Sequence, residues 1–376
     1  MKFLHTGDWH IGKKLNGYDL LEEQSFAFQE VMKIAETEKV DGIIIAGDLY
    51  DRSVPSIEAV ELFNHMLIEM NLKKGYPVFA ISGNHDSATR LETGGPWYET
   101  LNFHLHTKLA QGLKPVEFGD SQLFLLPYFE PFEARAYFQD DEIRSVDQAM
   151  ALVVAEMTTH FKPELKQILV SHFFVAGSEK SDSETKVMVG GLDVVPLSLL
   201  EGFDYVALGH LHHKNALQGD NARYSGSLLK YSLSEINQKK GVWLVETAGD
   251  KVSYDFIEIR PYRALLHLEE DFGTLMSPDF YQQIDREAYI AISLTDRGVI
   301  PNVMNQLRSV YPRIIQMERA FGRERELAPQ RSTVALKETS PTELFSEYFK
   351  ETTGEALTPR QAAWLAEEIS DTQREK

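Results

Sequence analysis

The chain has 376 residues, a formal net charge of −19 and no cysteine. Disulfides, thiolate metal sites and a cysteine nucleophile are therefore excluded, and the absence of thiols suits a reducing cytoplasm. The acid excess argues against DNA binding through a broad basic face, which needs clustered Lys and Arg, and it leaves metal-binding carboxylates open.

The opening "MKFLHTGDWH" reaches Asp8 before any long apolar run, so it does not read as a signal peptide. No window approaches the ~20 apolar residues of a membrane span. "KFLHTGD" reads as a buried strand. "DLLEEQSFAFQEVMKIAETEKV" reads as an amphipathic helix, with Leu20, Phe28, Val31, Ile34 and Ala35 on one stripe. "DGIIIAGD" is a second strand, "SIEAVELFNHMLIEMN" a second helix and "YPVFAISG" a third strand. That order predicts an α/β sheet with parallel neighbours. Residues 56–71 and 94–104 read as helices whose Leu62, Phe63, Met66, Ile68, Trp97, Tyr98 and Leu101 mostly go to the core. "VEFGDSQLFLLPY" reads as a pair of strands and "VDQAMALVVAEMTTHF" as a helix. "QILVSHF", "FDYVALGH", "ARYSGSLL", "GVWLVET" and "KVSYDFIEI" are further strands.

These elements divide the chain into four segments. Residues 1–260 form the main α/β domain and 262–325 a smaller α/β cap holding "YIAISL", "IPNVMNQLRSVY" and "RIIQMER". Residues 326–339 are a charged linker, and 340–376 a helical tail. In the tail Ser340, Pro341 and Glu343, then Thr358, Pro359 and Gln361, repeat one helix-start device, and Gly354 ends the first helix. Leu344, Phe345, Tyr348 and Phe349 make one apolar stripe, and Ala362, Leu365, Ala366 and Ile369 another. The stripes suit either an ordinary hairpin on its own chain or a docking element for a partner helix.

Chemistry concentrates where strands end. "GDWH" (7–10), "GDLYD" (47–51), "GNHD" (83–86), "SHFF" (171–174) and "GHLH" (209–212) each follow an apolar run. Ligands of open α/β sheets collect at the carboxyl ends of strands. Asp8, His10, Asp48, Asn84, His85, His172, His210 and His212 would then converge. Asp8 and His10 are two apart, as are His210 and His212, so in extended chain each pair points one way. Imidazole, carboxylate and amide oxygen suit Mn, Fe or Zn. Eight such groups exceed one ion and match two, roughly 3.5–4 Å apart and sharing a carboxylate. Each motif alone is more often a polar loop; their joint placement carries the inference. His5, His65, His104, His106, His160 and His267 read as ordinary core histidines.

The five motifs together resemble the signature of calcineurin-like metallophosphoesterases, over about the first 213 residues. Within that superfamily "MKFLHTGDWHIGKKL", "GDLYDRSVPS", "ISGNHDS" and "ALGHLHH…YSGS" are similar to the SbcD nuclease subunits of bacterial SbcCD complexes. The resemblance implies a four-layer α/β/β/α sandwich. It implies that Asp8, His10, Asp48 and His212 hold one metal and Asn84, His172 and His210 the second, with Asp48 bridging. It places His85 off the metals, facing the phosphate. It implies two divalent ions, Mn2+ by expectation, and cleavage of DNA as an exonuclease on duplex ends and an endonuclease on single strands or hairpins. An SbcC-type ATPase partner in DNA repair and recombination is implied, as is a homodimer through helices of the nuclease domain, which gives the apolar residues of 56–71 and 94–104 a second use.

The chemistry of such a site agrees. Two divalent ions neutralise a phosphodiester and lower the pKa of a water between them, and a protonated His85 can serve the leaving alkoxide. Asp51 is placed to orient an imidazole. Asp86 has the same reading, with capping of the next helix favoured over it. Lys13, Lys14, Arg52 and Arg90 follow the site loops and are the candidates for DNA phosphates, against plain solvated charge. Two other classes compete: a stand-alone phosphoesterase of small esters, and a non-catalytic partner of an ATPase. The cap and tail count against the first, the intact ligand set against the second.

Overall fold

In the computed structural model, the described residues are 1–178, 194–217, 219–249, 251–320, 342, 345–346, 348–350 and 354–365. The chain divides into two compact units, Met1–Leu265 and Leu266–Lys376.

The first unit is built on two mixed sheets. One has six strands, in the order Ser253–Glu258, Gly241–Glu246, Lys2–Thr6, Gly42–Ala46, Val78–Ile81 and Phe103–His106. The last four run parallel and the first two join antiparallel. The other has five, in the order Ala222–Tyr224, Tyr205–Gly209, Lys166–His172, Ser121–Leu125 and Val116–Phe118. Only the hairpin Val116–Phe118/Ser121–Leu125 is antiparallel there, turning at Gly119 with φ 58°.

Period-two alternation explains how the sheets pack. Phe3, Ile44, Ala46, Phe79 and Ile81 of the first sheet share one core with Leu123, Leu125, Ile168, Val170, Tyr205 and Ala207 of the second. Their sequence neighbours face outward. Phe124, Leu169, Val206 and Leu208 pack with Ala149, Met150, Val153 and Met157 of helix Val146–Thr158. On the first sheet Leu4, Ile43, Ile45, Val78 and Ala80 are also fully buried, so both faces are covered. Continuous apolar runs such as "GIIIA" follow from that double burial.

Helix Leu21–Glu38 ends where Lys39 turns left-handed, and helix Ile57–Leu67 starts at Ser56, whose hydroxyl accepts from Ala59 N at 3.2 Å. The expected helix 94–104 is corrected: helix covers Gly95–Glu99, and Phe103–His106 is an edge strand paired with Val78–Ile81. Four residues are too few to show a period, and the neighbouring strand decides the conformation. Of the apolar residues in this region Phe63 and Met66 are buried, whereas Trp97 is 70% exposed and Leu101 51%. Of the six histidines read as core, His5 and His106 are buried and His104 and His160 half-buried, while His65 and His267 are exposed. His267 instead bonds Ser293 Oγ at 2.8 Å.

The second unit carries a three-stranded sheet, Leu265–Glu270, Tyr289–Leu294 and Ile314–Arg319, with helix Val303–Arg308. The first of these strands, "LLHLEE", was not expected from the sequence. In the tail, Thr358 and Gln361 form the expected reciprocal cap, Thr358 N to Gln361 Oε1 at 2.9 Å and Gln361 N to Thr358 Oγ1 at 3.4 Å. Gly354 has φ 76° and donates its N–H to Lys350 O. The linker 326–339, Ser340, Pro341, Glu343, Leu344, Ala366 and Ile369 lie outside the described residues.

Candidate metal centre

The parallel strands Lys2–Thr6, Gly42–Ala46 and Val78–Ile81 end side by side, and their loops are laced together. Asp8 N donates to Gly47 O at 3.0 Å, His10 N to Asp48 O at 2.9 Å and Ile11 N to Leu49 O at 3.0 Å. Asp8, His10, Asp48 and His210 all have positive φ, at 50°, 45°, 50° and 96°. Left-handed non-glycine residues are uncommon, and four of them gather in these loops. The glycines of the motifs make room. A Cβ on Gly83 would stand 2.2 Å from Asp48 Oδ1, and one on Gly47 would stand 2.3 Å from His172 Nδ1.

All seven expected ligands meet there. Asp8, His10, Asp48, His172, His210 and His212 are buried, and Asn84 is half-buried. Asp8 accepts His210 N on both oxygens, at 2.9 and 3.0 Å. Asp48 Oδ2 lies 3.3 Å from His172 Nε2 and 3.6 Å from His10 Nε2. Asn84 Oδ1 faces His172 Nε2 at 3.0 Å and His210 Nδ1 at 3.1 Å. His10 Nε2 and His212 Nε2 are 3.1 Å apart. Ligating atoms of Asp8, His10 and His212 lie within 4.8 Å of one another, as do those of Asp8, Asp48 and His172, and of His10, Asp51 and His85.

The electrostatics are those of a cation site. Burial drives His10 far below the ordinary imidazole range, so its ring is neutral. Burial opposes the charge on Asp48, but His172 and His10 hold its carboxyl well below the usual range. Burial likewise opposes a charge on His172, and Asp48 outweighs it, pushing the ring up to about 9. His10 Nδ1 is buried with no hydrogen-bond partner. Two buried carboxylates beside converging imidazole nitrogens are costly without positive charge among them. The donor set fits divalent ions, with hard oxygens and borderline nitrogens in one cluster.

His85 sits at the rim. Its backbone N donates to Asp48 Oδ1 at 2.9 Å, and its Nδ1 meets the main-chain carbonyl of Asp51, also at 2.9 Å. The expected role of the Asp51 carboxylate needs correction. It pairs with Lys13 Nζ at 2.7 Å, and its approach to His10 Nδ1, 3.8 Å, is too long for a hydrogen bond. The peptide of Asp51, not its side chain, reaches an imidazole. Asp86 is corrected as well. It caps no helix but accepts from Leu49 N, Tyr50 N and Gly83 N at 3.0, 3.0 and 2.9 Å, riveting loop 47–51 to loop 83–86.

The basic candidates differ. Lys13 is mostly buried against Asp51 and over the Tyr231 ring. Lys14 is 58% exposed and 3.8 Å from Asp19, and Arg52 is 76% exposed and 3.5 Å from Asp51. Arg90 is exposed and lines a cleft with Ser53, Phe63 and Tyr98.

Two supports went unnoticed in the sequence. Gln24, fully buried, donates to His10 O at 2.8 Å and accepts Gly12 N at 3.0 Å. An amide between Leu20 and Phe28 on the apolar stripe was its signal. Glu235, fully buried, contacts His212 Nδ1 at 3.3 Å and Lys240; no pattern announced it.

Comparison with known proteins agrees with this geometry. The family model for calcineurin-like phosphoesterase matches residues 1–214. A second, described as the type 5 capsule protein repressor C-terminal domain, matches residues 261–353. The chain thus belongs to the calcineurin-like phosphoesterase family, and it is a hydrolase. Two curated relatives, the nuclease SbcCD subunits D of Staphylococcus epidermidis and of Staphylococcus saprophyticus, are each 32% identical over 363 residues, 96% of this chain and 96% of each relative. Within its family the chain belongs with these SbcD subunits. A dimetal phosphatase from Danio rerio is 11% identical with a TM-score of 0.43, over 69% of this chain and 97% of that one.

Proposed function

We propose that this chain is the nuclease subunit of an SbcCD-type complex, a metal-dependent hydrolase of DNA phosphodiesters. The convergence of seven ligand side chains from five strand-end loops carries the reading, together with similarity to SbcD subunits over 96% of the chain. Residues 1–260 are the nuclease domain, 262–325 the cap and 340–376 the ATPase-docking tail.

Asp8, His10, Asp48 and His212 would hold one divalent ion and Asp48, Asn84, His172 and His210 a second, with Mn2+ the expected metal. When bound, the ions supply charge neutralisation of the phosphate and activation of an attacking water. The chain's own residues do the rest. His172 Nδ1 donates to Ala46 O at 2.8 Å, which leaves Nε2 as the ligating atom. Asn84 adds an oxygen without charge. The Asp51 carbonyl keeps the proton on His85 Nδ1 and turns Nε2 toward the phosphate, where a protonated ring clamps the charge and serves the leaving oxygen. Lys14, Arg52 and Arg90 contact flanking DNA phosphates, and Lys13 holds Asp51.

The substrates are duplex ends, for exonucleolytic cleavage, and single strands or hairpins, for endonucleolytic cleavage, in cytoplasmic DNA repair, recombination and replication. Two exposed apolar sets support the partners. Trp97, Leu101 and Ile57 in the nuclease domain suit a homodimer, and Phe345, Tyr348 and Trp364 in the tail suit an SbcC-type ATPase.

The test is to incubate the chain with Mn2+ and linear duplex DNA, with and without an SbcC-type partner. A parallel arm uses bis-p-nitrophenyl phosphate. Degradation of DNA is expected. Intact DNA in both arms beside good turnover of the small diester overturns the nuclease reading in favour of a stand-alone phosphoesterase.

A further inference from the structure

We propose that Glu235, backed by Lys240, is a positioning residue for His212: it decides which ring nitrogen carries the proton and so aims the other at the metal. This rests on the reading of His212 as a ligand.

Glu235 closes the short turn Leu233–Glu235 and has no exposed surface. Its Oε1 stands 3.3 Å from His212 Nδ1, and its Oε2 lies 2.5 Å from Lys240 Nζ. Oε2 also accepts from Ser227 Oγ and Tyr231 N, both at 3.3 Å. Lys240 reaches the same histidine from behind, donating to its main-chain O at 2.8 Å and to Ser227 Oγ at 2.7 Å. One buried ion pair thus grips both the ring and the peptide of His212.

An ionised carboxylate only accepts, so His212 Nδ1 must be the donor. Nε2 then presents its lone pair, on the side where it lies 3.1 Å from His10 Nε2. His172 and His85 are oriented differently, each by a main-chain carbonyl, of Ala46 and Asp51. A carboxylate acceptor fixes the ring and, carrying a full negative charge, raises its basicity more than a carbonyl does. Stability alone is a poor reason for such a pair, because apolar replacements of buried ion pairs are often neutral.

The measurement is Mn2+ titration calorimetry on the full chain, with folding followed by circular dichroism. Glu235→Leu with Lys240→Met removes both buried charges. It is expected to fold and to bind one of two Mn2+ ions ~10–100-fold more weakly, the usual cost of losing such a partner. Glu235→Gln with Lys240→Met keeps a carbonyl acceptor and should lose less. Wild-type affinity in the folded Leu/Met variant overturns the proposal. No Mn2+ binding by the wild type instead defeats the ligand reading beneath it. A third arm needs no change at Glu235. Histidine 15N NMR of the metal-free chain at pH 8, assigned with His212→Gln, should show His212 protonated on Nδ1 alone. A proton on Nε2 overturns the proposal whether or not the double variants fold.

Discussion

The main-chain carbonyl of Asp51 accepts a hydrogen bond from His85 Nδ1 at 2.9 Å. An acceptor built into the backbone cannot be removed by changing the side chain. Asp51→Ala should therefore leave His85 oriented and cost under tenfold in cleavage, whereas His85→Ala should lose ~10²–10⁴-fold, the range of a proton donor. Both variants should still bind two metal ions by calorimetry. Loss of metal in His85→Ala would show that the division of roles is wrong.

Asp48 is the reverse case. It faces His10 and His172 and also accepts His85 N. Asp48→Ala should abolish binding of at least one ion and reduce cleavage to background. A variant that still binds two ions with native affinity contradicts its assignment.

Gly83→Ala tests the packing of the loops. The added methyl would stand 2.2 Å from Asp48 Oδ1 and 2.5 Å from Asp48 N. Displacement of a catalytic group by about 1 Å costs about 10²-fold, so cleavage should fall by that order. The far-ultraviolet circular dichroism should stay native.

Asp86→Ala leaves Leu49, Tyr50 and Gly83 N–H groups without their acceptor. At about 1 kcal/mol or more each, urea denaturation should show a loss of about 3 kcal/mol. An unchanged midpoint would mean the three bonds contribute nothing.

Acid should weaken the fold through histidines outside the metal cluster. Burial pushes His5 down to about 3 and His106 down to about 4, against an ordinary 6.5. Both are neutral when folded, so below 6.5 the unfolded chain binds more protons. Their contribution is fully present above pH 6.5 and is lost as pH falls toward 4 and then 3. Each contributes a slope of about 1.4 kcal/mol per pH unit inside that window. Urea midpoints at pH 7.5, 6 and 5 should fall accordingly, and His5→Gln should flatten the slope.

Four of the seven ligands, Asp8, Asp48, Asn84 and His210, were legible because each sits beside a glycine at the end of an apolar strand. Asp48 and Asn84 could be read from "GIIIAGD" and "FAISGN" without knowing how the strands pair. Supports contributed from elsewhere were not legible. Glu235 acts on a histidine 23 positions earlier, across a turn that no period predicts. Asp86 looked like a helix cap because its true partners, Leu49 and Tyr50, are distant in sequence. Phe103–His106 was lost to its brevity, since its strand character comes from Val78–Ile81.

Strand Lys2–Thr6 lies between Gly42–Ala46 and Gly241–Glu246. One of its neighbours is synthesised early and the other only after all the ligand loops. A chain still emerging from the ribosome therefore carries Asp8 and His10 for some two hundred residues before His210 and His212 exist. Strand Lys2–Thr6 stays half-paired longer still, until Gly241–Glu246 is made. The cutting centre is in this sense dated: it comes into being only near the completion of the domain, and a truncated product cannot carry it.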